Sequence, residues 1–304
     1  MNNHRKTAPS LLSRLSLFGW ALGLTALPST AIAQGYSTDI ELVRPVYSHK
    51  GLPGIDTPLF AAQPTMRVGL MMQYERDPVI LYQYGEELGS VVTHRNAVAL
   101  GVSYDFTPAV GARIILPMAL HSGSEIPELE ADGLGLEDMS IGARFRAFQV
   151  GGLSLGARAD FTAPIGSKDS FHGEDGLRTG AGLLASFEAG PVTVLFDTNV
   201  MTRTKLELAE DWSNGTQLAV NTGVRYWILP DRVAVWVSEI SRGQFTNFYK
   251  GGAENTVEML GGVQYQPVNY MTFHLGGGAG LADGTGGTAQ RITMSAKFVP
   301  IPPP

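Results

Sequence analysis

Charged residues placed at alternate positions of otherwise apolar stretches are the part of this sequence best suited to chemistry. Eight are basic and seven are acidic, so the set is close to neutral. If they line a pore they could set its selectivity. A selectivity filter would have an excess of one sign, so near balance favours mutual pairing across a narrow lumen for most of them. The candidate positions are Arg67, Glu75, Asp105, Arg113, Asp138, Arg144, Arg146, Arg158, Asp160, Glu188, Asp197, Arg225, Glu258, Arg291 and Lys297.

Histidines give little support for catalysis. His94 and His121 are expected near the ends of neighbouring strands, but no nucleophile accompanies them. Neither a G-x-S-x-G nor an H-E-x-x-H motif occurs. The glycine runs at residues 276–278 and 284–287 have no helix after them, so they do not predict a phosphate site. We therefore predict no enzyme, no catalytic residue and no cofactor.

Metal binding is also weakly supported. The chain has no cysteine, which excludes thiolate sites. Residues 125–132, with Glu137 and Asp138, form an acidic region that could hold divalent cations at a lipopolysaccharide surface. Its spacing matches no Ca²⁺ loop, so a solvated acidic loop is favoured and no metal site is predicted.

The charged positions must be held by strands, and residues 94–120 show this most clearly. Large apolar residues such as Leu100 alternate with small or polar ones up to Asp105, and a turn follows at Pro108. The alternation then resumes around Arg113. Each half has about the 9–11 residues that a tilted strand needs to cross a bilayer. The stretch predicts one hairpin of a transmembrane barrel.

The same pattern recurs along the chain. It predicts an all-β fold, a transmembrane antiparallel β-barrel of twelve strands, with ten to fourteen compatible with the spacing. An even number is typical of single-chain bacterial barrels. No long apolar run follows the N-terminus, so a helical span is not expected in the mature protein.

Connections between the expected strands alternate between long and short. Five short turns are predicted, near Thr107, Gly151, Gly190, Pro230 and Pro267. Six longer connections include residues 76–93, 121–135 and 202–213. Outer-membrane barrels have short periplasmic turns and longer extracellular loops, so both chain ends are expected on the periplasmic side. Aromatic residues gather near the short turns, as at a membrane interface: Phe106, Phe148, Phe187, Tyr226, Trp227, Tyr265, Tyr270 and Phe298.

The ends of the chain define the expected domains. Residues 1–33 combine basic residues, an apolar stretch and Ala31-Ile32-Ala33, which predicts a cleaved signal peptide. Residues 34–63 are irregular and could be a periplasmic extension or a partial plug. Residues 64–299 are the predicted barrel, and residues 300–304 are a Pro-rich tail.

Several motifs resemble the barrel module of OmpA-family multidomain outer-membrane proteins and the barrels of meta-pathway phenol-degradation transporters. They are Val43-Arg44-Pro45, Gln73-Tyr74-Glu75-Arg76-Asp77-Pro78-Val79, Ile115-Leu116-Pro117, Phe161-Thr162-Ala163-Pro164-Ile165-Gly166 and Gly173-Glu174-Asp175-Gly176. The resemblance covers about residues 40–300 and implies an outer-membrane barrel. It does not extend to a peptidoglycan-binding domain, so anchoring to the cell wall is not implied.

These observations predict a monomeric outer-membrane barrel with a porin- or transporter-like role, in which small solutes diffuse passively through a lumen of mixed charge. One alternative is a non-conducting structural or adhesion barrel that displays its loops. Another is a soluble periplasmic β-barrel or sandwich, because alternation alone does not separate a lipid-facing surface from a packed core. Expected partners are outer-membrane lipid, lipopolysaccharide and the barrel-assembly machinery. The acidic composition argues against nucleic acid.

Overall fold

A computed structural model describes residues 40–83, 86–126, 131–167, 171–203, 206–209, 212–246, 248, 255–282 and 287–300. The strands are β1 (Thr65–Gln83), β2 (Glu86–Thr107), β3 (Val110–Ser122), β4 (Gly133–Leu136), β5 (Met139–Val150), β6 (Leu153–Ala163), β7 (Arg178–Ala189), β8 (Val192–Thr202), β9 (Leu206–Ala209), β10 (Trp212–Asn214), β11 (Gln217–Leu229), β12 (Val233–Gln244), β13 (Thr256–Val268), β14 (Met271–Ala282) and β15 (Gln290–Phe298). The predicted signal peptide lies outside the described residues, as do residues 301–304 of the tail. No helix within the described ranges is long and apolar enough to cross a membrane.

Twelve of the strands close into an antiparallel barrel. Each pairs with its sequence neighbour around the wall, and β1 pairs with β15 from Val68–Phe298 to Arg76–Gln290, which closes the ring. The short strand β4 adds to the upper part of β3, and β9 and β10 form a separate hairpin. The predicted twelve-stranded all-β fold is confirmed.

The two ends of the barrel differ as expected. Five turns of two or three residues join the strands at one end, here called the short-turn end, and the longer connections lie at the opposite, long-loop end. The prediction of a loop at residues 76–93 is wrong, because β1 and β2 continue through it as a tall hairpin. Bulges beyond Arg76 interrupt the pairing register, and they also break the period-two pattern by which the sequence reveals a strand. Similarly, β4 lies partly within residues 121–135, and β9 lies within residues 202–213.

The barrel is apolar outside and polar inside. Leu100 is 56% exposed on the outer face, whereas Arg113 on the neighbouring strand is 6% exposed and points inward. Phe106 and Tyr265 are exposed at the short-turn end, in keeping with an interfacial aromatic girdle. A soluble barrel would keep its large apolar residues inside and its charges outside. The alternative of a soluble periplasmic barrel or sandwich is therefore wrong.

Residues 40–63 enter the lumen, and we call them the plug segment. Tyr47 is fully buried at mid-height, and a bridge between Leu52 and Ile55 makes a tight loop. The sequence left open whether residues 34–63 extend into the periplasm or enter the barrel. Residues 40–63 lie within the wall, and residues 34–39 are outside the described ranges. The segment reaches β1 at the short-turn end, whereas its first described residue, Ile40, lies at the long-loop end. Both chain ends were expected at the short-turn end. At the long-loop end Ile40 packs in an apolar cluster with Val79, Val91, Val92, Ala131 and Phe171.

Candidate functional site

The structure brings thirteen of the fifteen predicted lumen residues into the buried interior. Arg146 and Glu188 are half-buried near the short-turn end instead. Glu188 still contacts the plug segment, because its carboxylate lies 2.7 Å from Lys50 Nζ. The buried residues are Arg67, Glu75, Asp105, Arg113, Asp138, Arg144, Arg158, Asp160, Asp197, Arg225, Glu258, Arg291 and Lys297.

Asp56 of the plug segment lies at the centre of a lower ion-pair cluster. Its carboxylate contacts Arg113 on β3 and lies 3.5 Å from a guanidinium nitrogen of Arg144 on β5. Its backbone N–H donates to Asp197 on β8 at 3.0 Å. One plug residue is thereby tied to three strands, and two guanidiniums compensate its charge.

Wall residues complete this lower cluster. Arg158 donates to Asp160 at 2.7 Å and to Asp197 at 2.6 Å. Arg144 reaches Asp105 at 2.9 Å, and Arg67 reaches the same carboxylate at 2.8 Å. The charges alternate around the lower wall, so the cluster presents little net charge.

A second cluster lies higher in the lumen and joins the first and last strands. Glu75 on β1 contacts Arg95 on β2 and lies 2.5 Å from Arg291 on β15. Arg95 also pairs with Glu137 at 2.5 Å, and Arg291 pairs with Glu258 at 2.8 Å. All five side chains are almost completely buried. Burying ions is costly unless each is paired, and here every member has an opposite charge beside it.

A third cluster supports the long-loop end. Asp138 pairs with Arg178 at 3.0 Å and accepts backbone N–H groups from Gly166 and Glu174, both at 3.0 Å. Glu174 in turn lies 2.9 Å from Arg203. Asp138 therefore organises loop backbone, and does not stand in an open channel.

The acidic region is not a solvated loop throughout, as the sequence favoured. Glu137 and Asp138 are buried in ion pairs, and Glu125 accepts the backbone N–H of Ser90 at 2.9 Å. Within the described ranges no three acidic or histidine residues are placed to share a metal ion.

His94 and His121 lie on the paired strands β2 and β3, but each ring has a different partner. His121 stacks on His172 with ring centroids 4.1 Å apart, whereas His94 faces Tyr74, whose hydroxyl lies 3.0 Å from Nδ1. His94 and His121 are thus held in different contacts.

Tyr47 seats the plug segment against the wall. Its hydroxyl donates to the carbonyl of Ala99 at 2.7 Å. Its ring lies over Gly69 on β1 and Gly101 on β2, where an added Cβ would come within 2.1 Å of ring carbons. The two glycines form a slot for the Tyr47 ring, and a side chain at either position would occupy the space of that ring.

A cavity of about 470 Å³ opens below the plug segment, and we call it the turn-side cavity. Asp231, Asn269 and Tyr270 lie in or beside turns, which places the cavity at the short-turn end. By contrast, a cavity beside the plug segment and lined by β8, β11 and β12 measures about 40 Å³, enough for a few waters. The turn-side cavity is lined by Ser48, His49, Lys50, Ala61, Thr65, Arg67, Trp227, Asp231, Gln264, Gln266, Asn269, Tyr270, Thr272, Lys297 and Val299.

Sequence reasoning missed several of these residues. Arg95 shares the alternation of Asp105 and so could have been assigned to the inner face, and Trp227 has the same parity as Arg225. Asp56 lies in an irregular stretch, where no period marks a face.

No family model matches this chain, and no curated protein matches it either. Solved structures do match: an outer-membrane channel of the COG4313 group from Pseudomonas putida F1 has a TM-score of 0.62 at 15% identity, covering 80% of this chain and 97% of the other. The NanC porin has a TM-score of 0.53 at 10% identity, covering 77% of this chain and all of the other. At these identities the likeness concerns the fold, which is that of outer-membrane β-barrels.

Proposed function

We propose that this protein is an outer-membrane channel through which small solutes diffuse passively, and that the plug segment restricts the path. The observation that carries the proposal is the closed barrel with a charged interior and a turn-side cavity of about 470 Å³. The fold shared with an outer-membrane channel and a porin supports it. Because the lower and upper charges are largely paired, size and local field would select solutes more than the overall sign of charge.

The proposal includes a location and partners. The protein would be exported by its signal peptide to the bacterial outer membrane, with short turns in the periplasm and loops outside. It would contact lipid and lipopolysaccharide, be inserted by the barrel-assembly machinery and act as a monomer without enzymatic activity or nucleic acid. Recovery with the outer-membrane fraction is expected, whereas a freely soluble periplasmic product would contradict the location. Kinship with OmpA-family barrels or phenol-degradation transporters rests on the sequence motifs alone.

A second candidate is a non-conducting structural or adhesion barrel. The plug segment favours it, because Asp56 ties the segment to β3, β5 and β8, and the cavity beside it towards β8, β11 and β12 measures only about 40 Å³. In this case the long-loop end would be the functional surface.

Conductance of the purified barrel in planar bilayers separates the two candidates. We expect channel steps from the natural protein, and larger or more frequent steps from Asp56→Asn, which removes the central charge of the plug segment. Asp160→Asn is the matched control, since Asp160 belongs to the same cluster but lies on the wall and pairs with Arg113 and Arg158. It should conduct like the natural protein.

Absence of steps from both the natural protein and Asp56→Asn would contradict the channel and support the structural barrel. Equal increases in the two variants would contradict a specific role for the plug segment.

A further inference from the structure

Two cations at the turn-side cavity have no carboxylate within 4.0 Å among the described residues. Lys297 lines the cavity, and its ammonium donates to the carbonyls of Gly51 at 3.0 Å and Ser48 at 3.5 Å, which uses two of its three N–H groups. No acidic oxygen of the described residues lies within 4.0 Å of it.

Arg225 lies behind the wall of the same cavity and is fully buried. Its guanidinium donates to the carbonyl of Lys50, to Gln264 and to Thr193, all of them neutral acceptors. Its Nε has no acceptor within the described residues. A buried guanidinium without a carboxylate leaves its positive charge to act on the adjoining space.

The other charges at the cavity are already matched. Lys50 pairs with Glu188 at 2.7 Å, and Arg67 pairs with Asp105 at 2.8 Å. Asp231 is the acid that lines the cavity itself, and it stands in an exposed turn. The lining therefore carries a surplus of positive charge, centred on Lys297.

Two rings shape the rest of the lining. Trp227 lies inside the cavity with Arg225 stacked over its ring at 5.1 Å, and Tyr270 lines the space near the turn. A volume of about 470 Å³ falls within the range of small-molecule sites, roughly 300–1,000 Å³. Buried positive charge beside aromatic surface suits a ligand that is anionic at one end and apolar at the other.

We propose that the turn-side cavity binds small organic anions, specifically a carboxylate carried on an apolar or aromatic body. The carboxylate would accept the remaining N–H of Lys297, and the body would lie against Trp227. This site adds a ligand class to the channel proposed above, and its role in transport rests on that proposal. Binding itself does not require conduction.

The test is calorimetric titration of the full, detergent-solubilised barrel with benzoate, and separately with benzyl alcohol as a neutral analogue of similar shape. We expect benzoate to bind at least tenfold more tightly than benzyl alcohol. Lys297→Met should weaken benzoate at least tenfold and leave benzyl alcohol within about twofold. Arg146→Met removes a charge at the same end of the barrel but outside the cavity, and it should leave benzoate binding within about twofold.

Benzoate and benzyl alcohol binding equally well, or no binding of benzoate at millimolar concentration, would overturn the proposal. So would an equal loss in Lys297→Met and Arg146→Met, provided that both variants fold as judged by heat-modifiable migration. Benzoate binding to a barrel that shows no channel steps would refute the channel and keep the site, so the two proposals fail separately.

Discussion

Glu75 is shared by two guanidiniums, Arg95 and Arg291, and all three side chains are fully buried in the lumen. Such an arrangement makes each arginine hard to replace by a neutral residue, because the carboxylates left behind stay buried. The effect of a substitution therefore depends on burial far more than on the number of ion pairs that it removes.

Arg291→Met should lower the free energy of unfolding by about 3–5 kcal/mol, since Glu258 loses its guanidinium and Glu75 loses one of two. Arg76→Met is the control: Arg76 is 58% exposed and pairs with Asp77 at 3.4 Å, so its loss should cost less than about 0.5 kcal/mol. Urea unfolding in lipid vesicles, followed by tryptophan fluorescence, measures both. Similar losses in the two variants would contradict a special role for the buried network.

Which side chains face inward was largely predictable from the sequence. Period-two alternation marks one face wherever a strand is regular, and Asp105, Arg113 and Arg291 on that face are buried. Their partners were less accessible, because pairing across the lumen depends on the stagger of the strands, which alternation does not encode. The burial of Asp56 could not be predicted, because an irregular segment has no alternation that shows which of its side chains are buried.

At the scale of elements, the plug segment depends on its surroundings. Its internal backbone hydrogen bonds are local, as in the Leu52–Ile55 bridge and the bond from Gly54 N–H to the Arg44 carbonyl at 3.1 Å. Wall contacts also hold it, such as the bond from Gln73 to the Val43 carbonyl at 3.0 Å. The slot for Tyr47 between Gly69 and Gly101 is the most restrictive of these contacts, because it tolerates no side chain.

Gly101→Ala should displace the Tyr47 ring and loosen the plug segment. Overpacking of this kind costs about 1–3 kcal/mol of stability. Gly261→Ala is the matched control on another strand, where the nearest atom to an added Cβ lies 3.6 Å away. We expect more frequent channel steps and easier urea unfolding for Gly101→Ala alone.

Combining Gly101→Ala with Tyr47→Ala should give a smaller stability loss than the sum of the single variants, because the ring that the methyl group displaces is gone. Strict additivity would show that the slot does not seat the ring.

Some of the strands could be predicted from the sequence, and the upper part of the β1–β2 hairpin could not. Strand number and short turns followed from alternation and turn residues, as in residues 94–120. The upper hairpin of β1 and β2 did not, because bulges beyond Arg76 and the left-handed backbone of Asp77 break the alternation while pairing continues.

For the whole molecule, the stability lost when a charge is placed on the outward apolar surface depends on how deep in the membrane that charge lies. Leu100→Arg, near mid-height, should reduce stability by about 2–4 kcal/mol, whereas Leu88→Arg, in the upper hairpin, should cost about 0–1 kcal/mol. Both residues are at least half exposed, so solvent accessibility alone predicts equal effects. Urea unfolding in vesicles distinguishes the two, and equal losses would contradict a membrane around the barrel.

The seam between β1 and β15 has a consequence for biogenesis. The final strand supplies Lys297, which holds the plug segment by two carbonyls, and Arg291, which joins the upper cluster. The plug segment precedes every strand of the barrel, and the strand that fastens it follows the other described strands. We therefore expect ring closure and seating of the plug to be coupled. A ring that closed too soon would shut the segment out and leave Arg113 and Arg144 without Asp56.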